Sequence, residues 1–344
     1  MHAYFRETRQ RLFPALITVL FVVAVMSIAV GQWQLGWLVS LQSLSPWQND
    51  VEPHILTIVQ QVRLPRTLLC LFVGALLAVS GALMQGLFRN PLADPGIIGV
   101  SGGASLGGAF GLLLLSWGSL DVGFALSVPL FAFFGALIAT LFVYRIGTTS
   151  MGTSVTIMLL AGIAISALSG AALGLINYVA DNQTLRDIAL WSMGSLTGAS
   201  WGQITLTGVA AVALTVFAYR CAPHINALLL GENEAAYLGI NVHRLKRLLI
   251  IATAAGMGIS VSAAGLIGFI GLVVPHIGRL LAGPDHRTLI PLSAILGALL
   301  LTFADIIARV IVAPAELPVG IITALMGAPF FLWLLIQQRQ AVVH

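Results

Sequence analysis

Residues 66–96 read RTLLCLFVGALLAVSGALMQGLFRNPLADPG. From Thr67 to Phe88 no charged side chain occurs, and about 20 apolar residues at 1.5 Å each are what an α-helix needs to cross the hydrocarbon core of a bilayer. At Arg89 the apolar run stops. Pro91 and Pro95 then force a non-helical turn, because each lacks a backbone N–H and restricts the residue before it. The stretch reads as a spanning helix, a polar turn and the start of the next span.

Working outward, ten runs qualify as spans, over roughly 12–33, 66–87, 95–116, 122–144, 154–178, 203–219, 247–267, 268–283, 289–311 and 319–337. The eighth is short, glycine-rich and interrupted by Pro275. It is expected to be a half-length or bent helix inside protein, where irregular backbone is tolerated. Composition agrees, with 58% hydrophobic and 8% charged residues and a mean hydropathy of +1.00. A soluble domain carries about 25% charged residues, so lipid must cover this chain. The 36 glycines suit close helix contact in a membrane. The expected fold class is an all-α polytopic membrane protein, one transmembrane domain over residues 1–344. The basic N-terminus is followed by no convincing small-residue cleavage site, so a cleaved signal is not expected.

Three connections are long: 34–62 and 179–202 on one side, and 220–246 on the other. The second holds Asp181, Arg186 and Asp187 beside Trp191 and suits a short interfacial helix. With ten spans both termini share a side. Twelve of the 16 lysines and arginines fall there: Arg6, Arg9, Arg11, Arg89, Arg145, Arg220, Arg244, Lys246, Arg247, Arg279, Arg287 and Arg339. The opposite side has Arg63, Arg66, Arg186 and Arg309, with the acids Asp50, Glu52, Asp121, Asp181, Asp187, Asp305 and Glu316. Positively charged loops stay in the cytoplasm, so both termini are expected there. The pI near 9.5 reflects this topology, and no basic patch points to nucleic acid.

The motifs exclude several chemistries. No G-x-x-x-x-G-K-[ST] phosphate loop occurs and Lys246 is the only lysine, so the chain is not expected to hydrolyse ATP alone. Of seven histidines, only His276 lies in a span, and none has the i, i+4 spacing of a metal pair. Cys70 and Cys221 fall on opposite sides of the map, so no disulfide is expected. The deep spans carry almost no ionisable residues, which argues against a proton-coupled carrier. Asp305 and Arg309 are spaced i, i+4 and share a helix face. Small residues recur four apart at Gly162, Ser166, Gly170 and Gly174, and at Gly103 and Gly107. Such faces either pack helices closely or line a passage.

Further blocks carry a family resemblance. Arg63-Leu64-Pro65-Arg66, Gly81-Ala82-Leu83-Met84-Gln85 and Asn90-Pro91-Leu92-Ala93 come first. Gly231-Glu232 with Ala235, Leu238 and Gly239 follows, then Gly268-Phe269-Ile270-Gly271-Leu272-Val273-Val274-Pro275-His276. Asp305, Arg309, Glu316-Leu317-Pro318 and Gly327-Ala328-Pro329 complete the order. Over residues 55–337 the chain resembles the permease subunits of type II ATP-binding-cassette importers for iron-siderophores, haem and cobalamin.

That resemblance implies a bacterial inner-membrane assembly of two ten-helix permeases, most simply a homodimer with a heterodimer of sister chains as the alternative, two cytoplasmic ATPases and a periplasmic substrate-binding protein. ATP and Mg²⁺ would sit on the partner ATPase, and this chain would hold no cofactor. Gly231, Glu232, Ala235, Leu238 and Gly239 match the coupling helix that meets the ATPase. Arg63, Arg66 and Arg309 match arginines that dock the binding protein, and Asn90, Leu92, Thr153 and Ser154 match the cytoplasmic gate. Asp94-Pro95-Gly96, Trp191-Ser192-Met193-Gly194-Ser195-Leu196 and Ala199-Ser200-Trp201 are most similar to haem permeases. Haem is therefore the expected cargo, with ferric siderophore or cobalamin as the alternatives.

Overall fold

A computed structural model describes residues 2–31, 35–45, 51–118, 124–149 and 152–343. Asp50, Asp121 and His344, the ends of the first and fourth expected spans, and part of the stretch 34–62 lie outside the described residues. Among the described residues the regular structure is helical apart from one pair of two-residue strands, β1 Thr148–Thr149 against β2 Gly152–Thr153. Helices run in the order α1 His2–Ala29, α2 Trp37–Gln42, α3 Pro53–Thr57, α4 Leu64–Leu87, α5 Val100–Ser116, α6 Phe124–Gly147 and α7 Val155–Val179. They continue as α8 Asn182–Ser192, α9 Trp201–Leu230, α10 Glu232–Tyr237, α11 Val242–Ala264, α12 Ile270–Ala282, α13 His286–Val310 and α14 Val319–Val343.

Among the described residues, 8 helices are long and apolar enough to cross a membrane. The shorter apolar helices α5 and α12 fall at the third and eighth expected spans. Hydrogen bonds show which helix ends lie together. Asn226 near the end of α9 bonds Asp285 just before α13, at 2.7 Å, so those termini share one end of the bundle. At the opposite end, the far end, Ser27 of α1 bonds Thr67 of α4, and Ser195 after α8 bonds Ala264 at the close of α11. The end that holds both chain termini is called the terminal end.

α4 is the centre. It packs on α9, α11, α12 and α13, while α5, α6 and α7 form a second group joined to the first through α6 and α11. Contact is backbone to backbone where glycines meet. A methyl built on Gly74 would overlap the Gly297 carbonyl of α13, and one on Gly81 would overlap the Gly271 carbonyl of α12. Small residues are what permit such approach without lipid between helices. The same contact sets the level of α12: its first turn lies against the middle of α4 and against Pro95. Its 13 residues therefore cover only about 20 Å, as the short eighth run suggested. Gln85 of α4 secures it, donating to the Leu272 carbonyl at 3.1 Å and accepting from Arg279 Nη1 at 2.6 Å.

Three boundaries differ from the sequence expectation. Residues 220–230 continue α9 instead of opening a loop, so the terminal-end connection shrinks to Gly231–Asn241. Arg220, Pro223, His224 and Asn226 depress the hydropathy there, yet Ala218, Ala222, Ile225 and Leu228 form a buried stripe at helical spacing. Helix also precedes the second span, from Pro53 through a π-turn at Ile58–Arg63 that ends just before Pro65. The third span breaks at Gly99, whose φ of 84° separates a 3₁₀ turn, Pro95–Ile98, from α5. The stretch with Asp181 and Trp191 is the helix α8. Asp181 caps it by accepting from the Thr184 amide at 2.8 Å, which holds this carboxyl below its usual range.

The two small-residue runs have different uses. Methyls on Gly103 and Gly107 would overlap the Gly135 and Phe131 carbonyls of α6, so that run is a packing seam. On α7, Gly162 meets the Ile97 carbonyl and Ser166 meets Gly102, but Gly170 and Gly174 face open space. Overpacking costs about 1–3 kcal/mol or more. Gly103→Leu should therefore lower the thermal midpoint of the detergent-solubilised protein, while Gly174→Leu leaves it unchanged or raises it. Thermal-shift size-exclusion chromatography checks both; equal midpoints would show that the α5–α6 seam is not load-limited by its glycines.

Candidate functional site

The most distinctive surface is the turn between α9 and α11. α9 stops at Gly231, whose φ of 145° and ψ of 156° suit only glycine. α10 follows, and Ala235, fully buried, roots it on α9. It closes by a Schellman pair: the Ile240 amide donates to the Ala235 carbonyl at 3.1 Å and the Gly239 amide to the Ala236 carbonyl at 2.9 Å. Asn241 then caps α11 by accepting from the Arg244 amide at 2.9 Å. Both ends of a six-residue helix are thus fixed, which a free peptide of that length cannot achieve.

The knob presents apolar side chains outward. Tyr237 is 90% exposed, Leu230 71% and Leu238 65%, with Asn233 and Glu234 beside them. An apolar centre with a polar rim is the anatomy of a protein contact. Of the coupling residues expected from sequence, Leu238 is presented, Ala235 is the root, and Gly231 and Gly239 shape the turn. Glu232 differs. Its Oε1 lies 2.7 Å from the ammonium of Lys246, whose side chain is 2% exposed, so this carboxylate braces the turn instead of standing free. Tyr237 was not singled out from sequence, although an aromatic residue in a helix bracketed by glycines was a signal for it.

Two other turns share the terminal end. Asn90 accepts from the Leu92 amide at 2.9 Å, folding the α4–α5 turn on itself. The hairpin after α6 is closed by Thr148 and Thr153, whose hydroxyls are 3.2 Å apart, and the Thr153 carbonyl accepts from Lys246 Nζ at 3.2 Å. Ser154 caps α7 by accepting from the Ile157 amide at 3.4 Å. The four expected gate residues therefore form two local groups, Asn90 with Leu92 and Thr153 with Ser154, each held by its own bonds.

The far end holds a buried cluster of charges. Arg63, Arg66 and Arg309, which the resemblance matches to docking arginines, are only 5%, 5% and 3% exposed. Arg66 donates to Asp305 Oδ1 through Nε at 3.0 Å and Nη2 at 2.8 Å, and to Glu316 Oε2 at 2.7 Å. Arg309 Nε lies 3.1 Å from Asp305 Oδ2, and its Nη1 donates to the Ser27 carbonyl at 2.9 Å. Arg63 donates to the carbonyls of Ile28 and Ala29 at 3.0 and 2.7 Å. The sequence placed them at the end opposite the chain termini but could not show that Asp305, Glu316 and the open carbonyls ending α1 converge on them. Of the four bases expected here, Arg186 on α8 is exposed.

Beside this cluster is a cavity of about 500 Å³ whose walls include Asp187, Trp191, Gln203, Ser262, Glu316 and Pro318. Glu316 thus joins the cavity wall to the charge cluster. Among the described residues no group of three or more His, Cys, Asp or Glu could hold a metal. His276 faces Phe330 edge-on, with centroids 6.1 Å apart. Cys70 and Cys221 are free thiols.

Comparisons with known proteins match this architecture throughout. The family model described as the FecCD transport family matches residues 18–337. The hemin transport system permease protein HmuU of Yersinia pestis is 43% identical over 331 residues, 96% of this chain and 98% of that protein. The vitamin B12 import system permease protein BtuC of Citrobacter koseri is 45% identical over 282 residues, 82% of this chain and 84% of that protein. A solved structure, an inward-facing conformation of a metal-chelate type ABC transporter, superposes with a TM-score of 0.80 at 32% identity, covering 95% of this chain and 99% of that one.

Removing one partner of a buried charge cluster strands the other, at a cost of about 3–5 kcal/mol. Arg66→Ala should therefore reduce folded yield and thermal midpoint sharply, whereas Arg186→Ala leaves both unchanged. Expression followed by detergent size-exclusion chromatography reads the difference. Full stability of Arg66→Ala would return that arginine to the role of a surface contact.

Proposed function

We propose, from the premise that the chain belongs to the FecCD transport family, that this permease subunit of an ATP-binding-cassette importer carries haem from periplasm to cytoplasm. The observation that carries the cargo assignment is the likeness to a hemin permease over 96% of the chain. The vitamin B12 permease match, at similar identity, covers 82% and supports cobalamin as the second reading. Ferric siderophores remain the third.

In this reading the terminal end is cytoplasmic, supported by the twelve bases gathered there, and the membrane is the bacterial inner membrane. α10 is the surface that a cytoplasmic ATPase grips, with Tyr237, Leu238 and Leu230 as its apolar centre. ATP and Mg²⁺ belong to that ATPase, and the permease has neither catalysis nor a resident cofactor of its own. The far end receives a periplasmic substrate-binding protein. With Arg63, Arg66 and Arg309 engaged inside the chain, its contacts fall on exposed groups such as Arg186, while the arginines hold the receiving surface in shape.

Two copies of the chain would enclose the passage. Support comes from α7, where Leu160, Ile163, Leu168 and Leu175 are exposed and the second half of the small-residue run meets nothing. An apolar, uncharged lining suits a bulky planar ligand that must pass without being held. Haem in this setting is cargo.

The test is uptake into proteoliposomes holding the permease, its ATPase and its binding protein. ATP-dependent accumulation of haem is expected, with cobalamin and ferric siderophore at background; accumulation of either without haem would overturn the cargo assignment. Gly170→Trp should cut uptake at least about tenfold while the variant still folds, because the bulk enters open space on α7. Unchanged uptake by that variant would remove this face from the passage.

A further inference from the structure

Lys246 is the chain's only lysine, and it sits in the second turn of α11 with its side chain 2% exposed. Its ammonium contacts Glu232 Oε1 at 2.7 Å and the Thr153 carbonyl at 3.2 Å. Three elements meet at this one cation. Glu232 is the first residue of α10, Thr153 ends β2, and Lys246 belongs to α11. Thr153 is followed at once by Ser154, the cap of α7.

A plain structural duty does not require this arrangement. Filling the space below α10 could be done by an apolar side chain, without the desolvation that burying an ammonium costs. What a lysine adds is a compact charge on a long flexible stem, with several donors that can hold more than one acceptor. Here those acceptors lie on separate segments, one on the knob and one on the turn that starts α7. Glu232, Lys246 and Thr153 form a contiguous polar chain between the exposed surface of α10 and the helix that carries Gly170 and Gly174. Motion passed between sites needs such a physically connected set of groups.

We propose that Lys246 is a positioning residue that ties α10 to the β1–β2 hairpin, so that displacement of α10 by the ATPase is delivered to the start of α7. This rests on the reading of α10 as the ATPase-contact surface. Removing the tie should leave the contact surface intact, since Tyr237, Leu238 and Leu230 are presented outward, and should separate hydrolysis from transport.

The experiment uses the complete importer in proteoliposomes, with ATP hydrolysis and haem uptake measured in the same vesicles. Lys246→Met, which keeps the stem and removes the charge, should bind the ATPase and hydrolyse ATP near the wild-type rate while haem carried per ATP falls about tenfold. The charge exchange of Glu232→Lys with Lys246→Glu should recover about half of that ratio, as expected when two residues act as a pair. Should Lys246→Met fail to fold, Glu232→Gln makes the same comparison. Spin labels at Thr149→Cys and Asn233→Cys, in a chain whose Cys70 and Cys221 are serine, supply a second readout. Their separation should stay constant between nucleotide-free and ATP-bound states, and should broaden or change in Lys246→Met. An unaltered ratio of haem to ATP, or an unaltered distance distribution, would overturn the proposal. A Tyr237→Glu variant that still binds the ATPase would instead overturn the contact-surface reading, whatever Lys246 shows.

Discussion

A carboxylate with no exposed surface, Asp305, stands near the end of a membrane helix, and much of the far end is arranged around it. Left alone in a medium of low dielectric an ionised carboxylate is very costly. Arg66 and Arg309 answer it from α4 and α13, and their remaining donors reach Glu316 and the last turn of α1. One charge therefore fixes where three helices end and where the turn after α13 lies. Arg63 closes the open carbonyls of α1 in the same manner. Lipid offers no hydrogen bonds, so groups that would face water in a soluble protein must find partners within the chain.

The terminal end is built on the opposite plan. Its turns are short, individually capped and largely exposed, and two of them, α10 and the β1–β2 hairpin, meet through one buried ammonium instead of a dense cluster. Between the two ends, helices approach at glycines of α4, α12 and α13 and at those of α5 and α6. Close-packed backbones move as bodies more readily than they deform. A displacement applied at a capped turn is thus suited to travel along whole helices to a far end whose geometry is held by charge.

Much of this was legible in the sequence, and the exceptions have physical causes. Hydropathy located the 8 helices long and apolar enough to cross a membrane and the two shorter ones, α5 and α12, because a run such as 67–88 has no other stable fate. It misplaced the end of α9, since Arg220 to Asn226 are polar on average while Ala222, Ile225 and Leu228 make a buried stripe that an average cannot see. The glycine-bounded knob could be read from Gly231 and Gly239, but the inward turn of Glu232 could not, because its partner Lys246 is fourteen positions away. The arginines fall at the end opposite the chain termini, as the span count required, but their burial could not be read from the sequence. Asp305, 239 residues from Arg66, reaches it only through the packing of α4 on α13. The small-residue run of α7 looked uniform, yet its first half is a seam and its second half is open.

The proposed role of α10 is that of a cytoplasmic surface covered by an ATPase. The direct measurement is side-specific labelling of Tyr237→Cys, in a chain with Cys70 and Cys221 replaced by serine, using a membrane-impermeant maleimide. Reaction only in inverted vesicles, suppressed when the partner ATPase is bound, is the predicted result. Reaction from the periplasmic face, or labelling that the bound ATPase does not suppress, would contradict it.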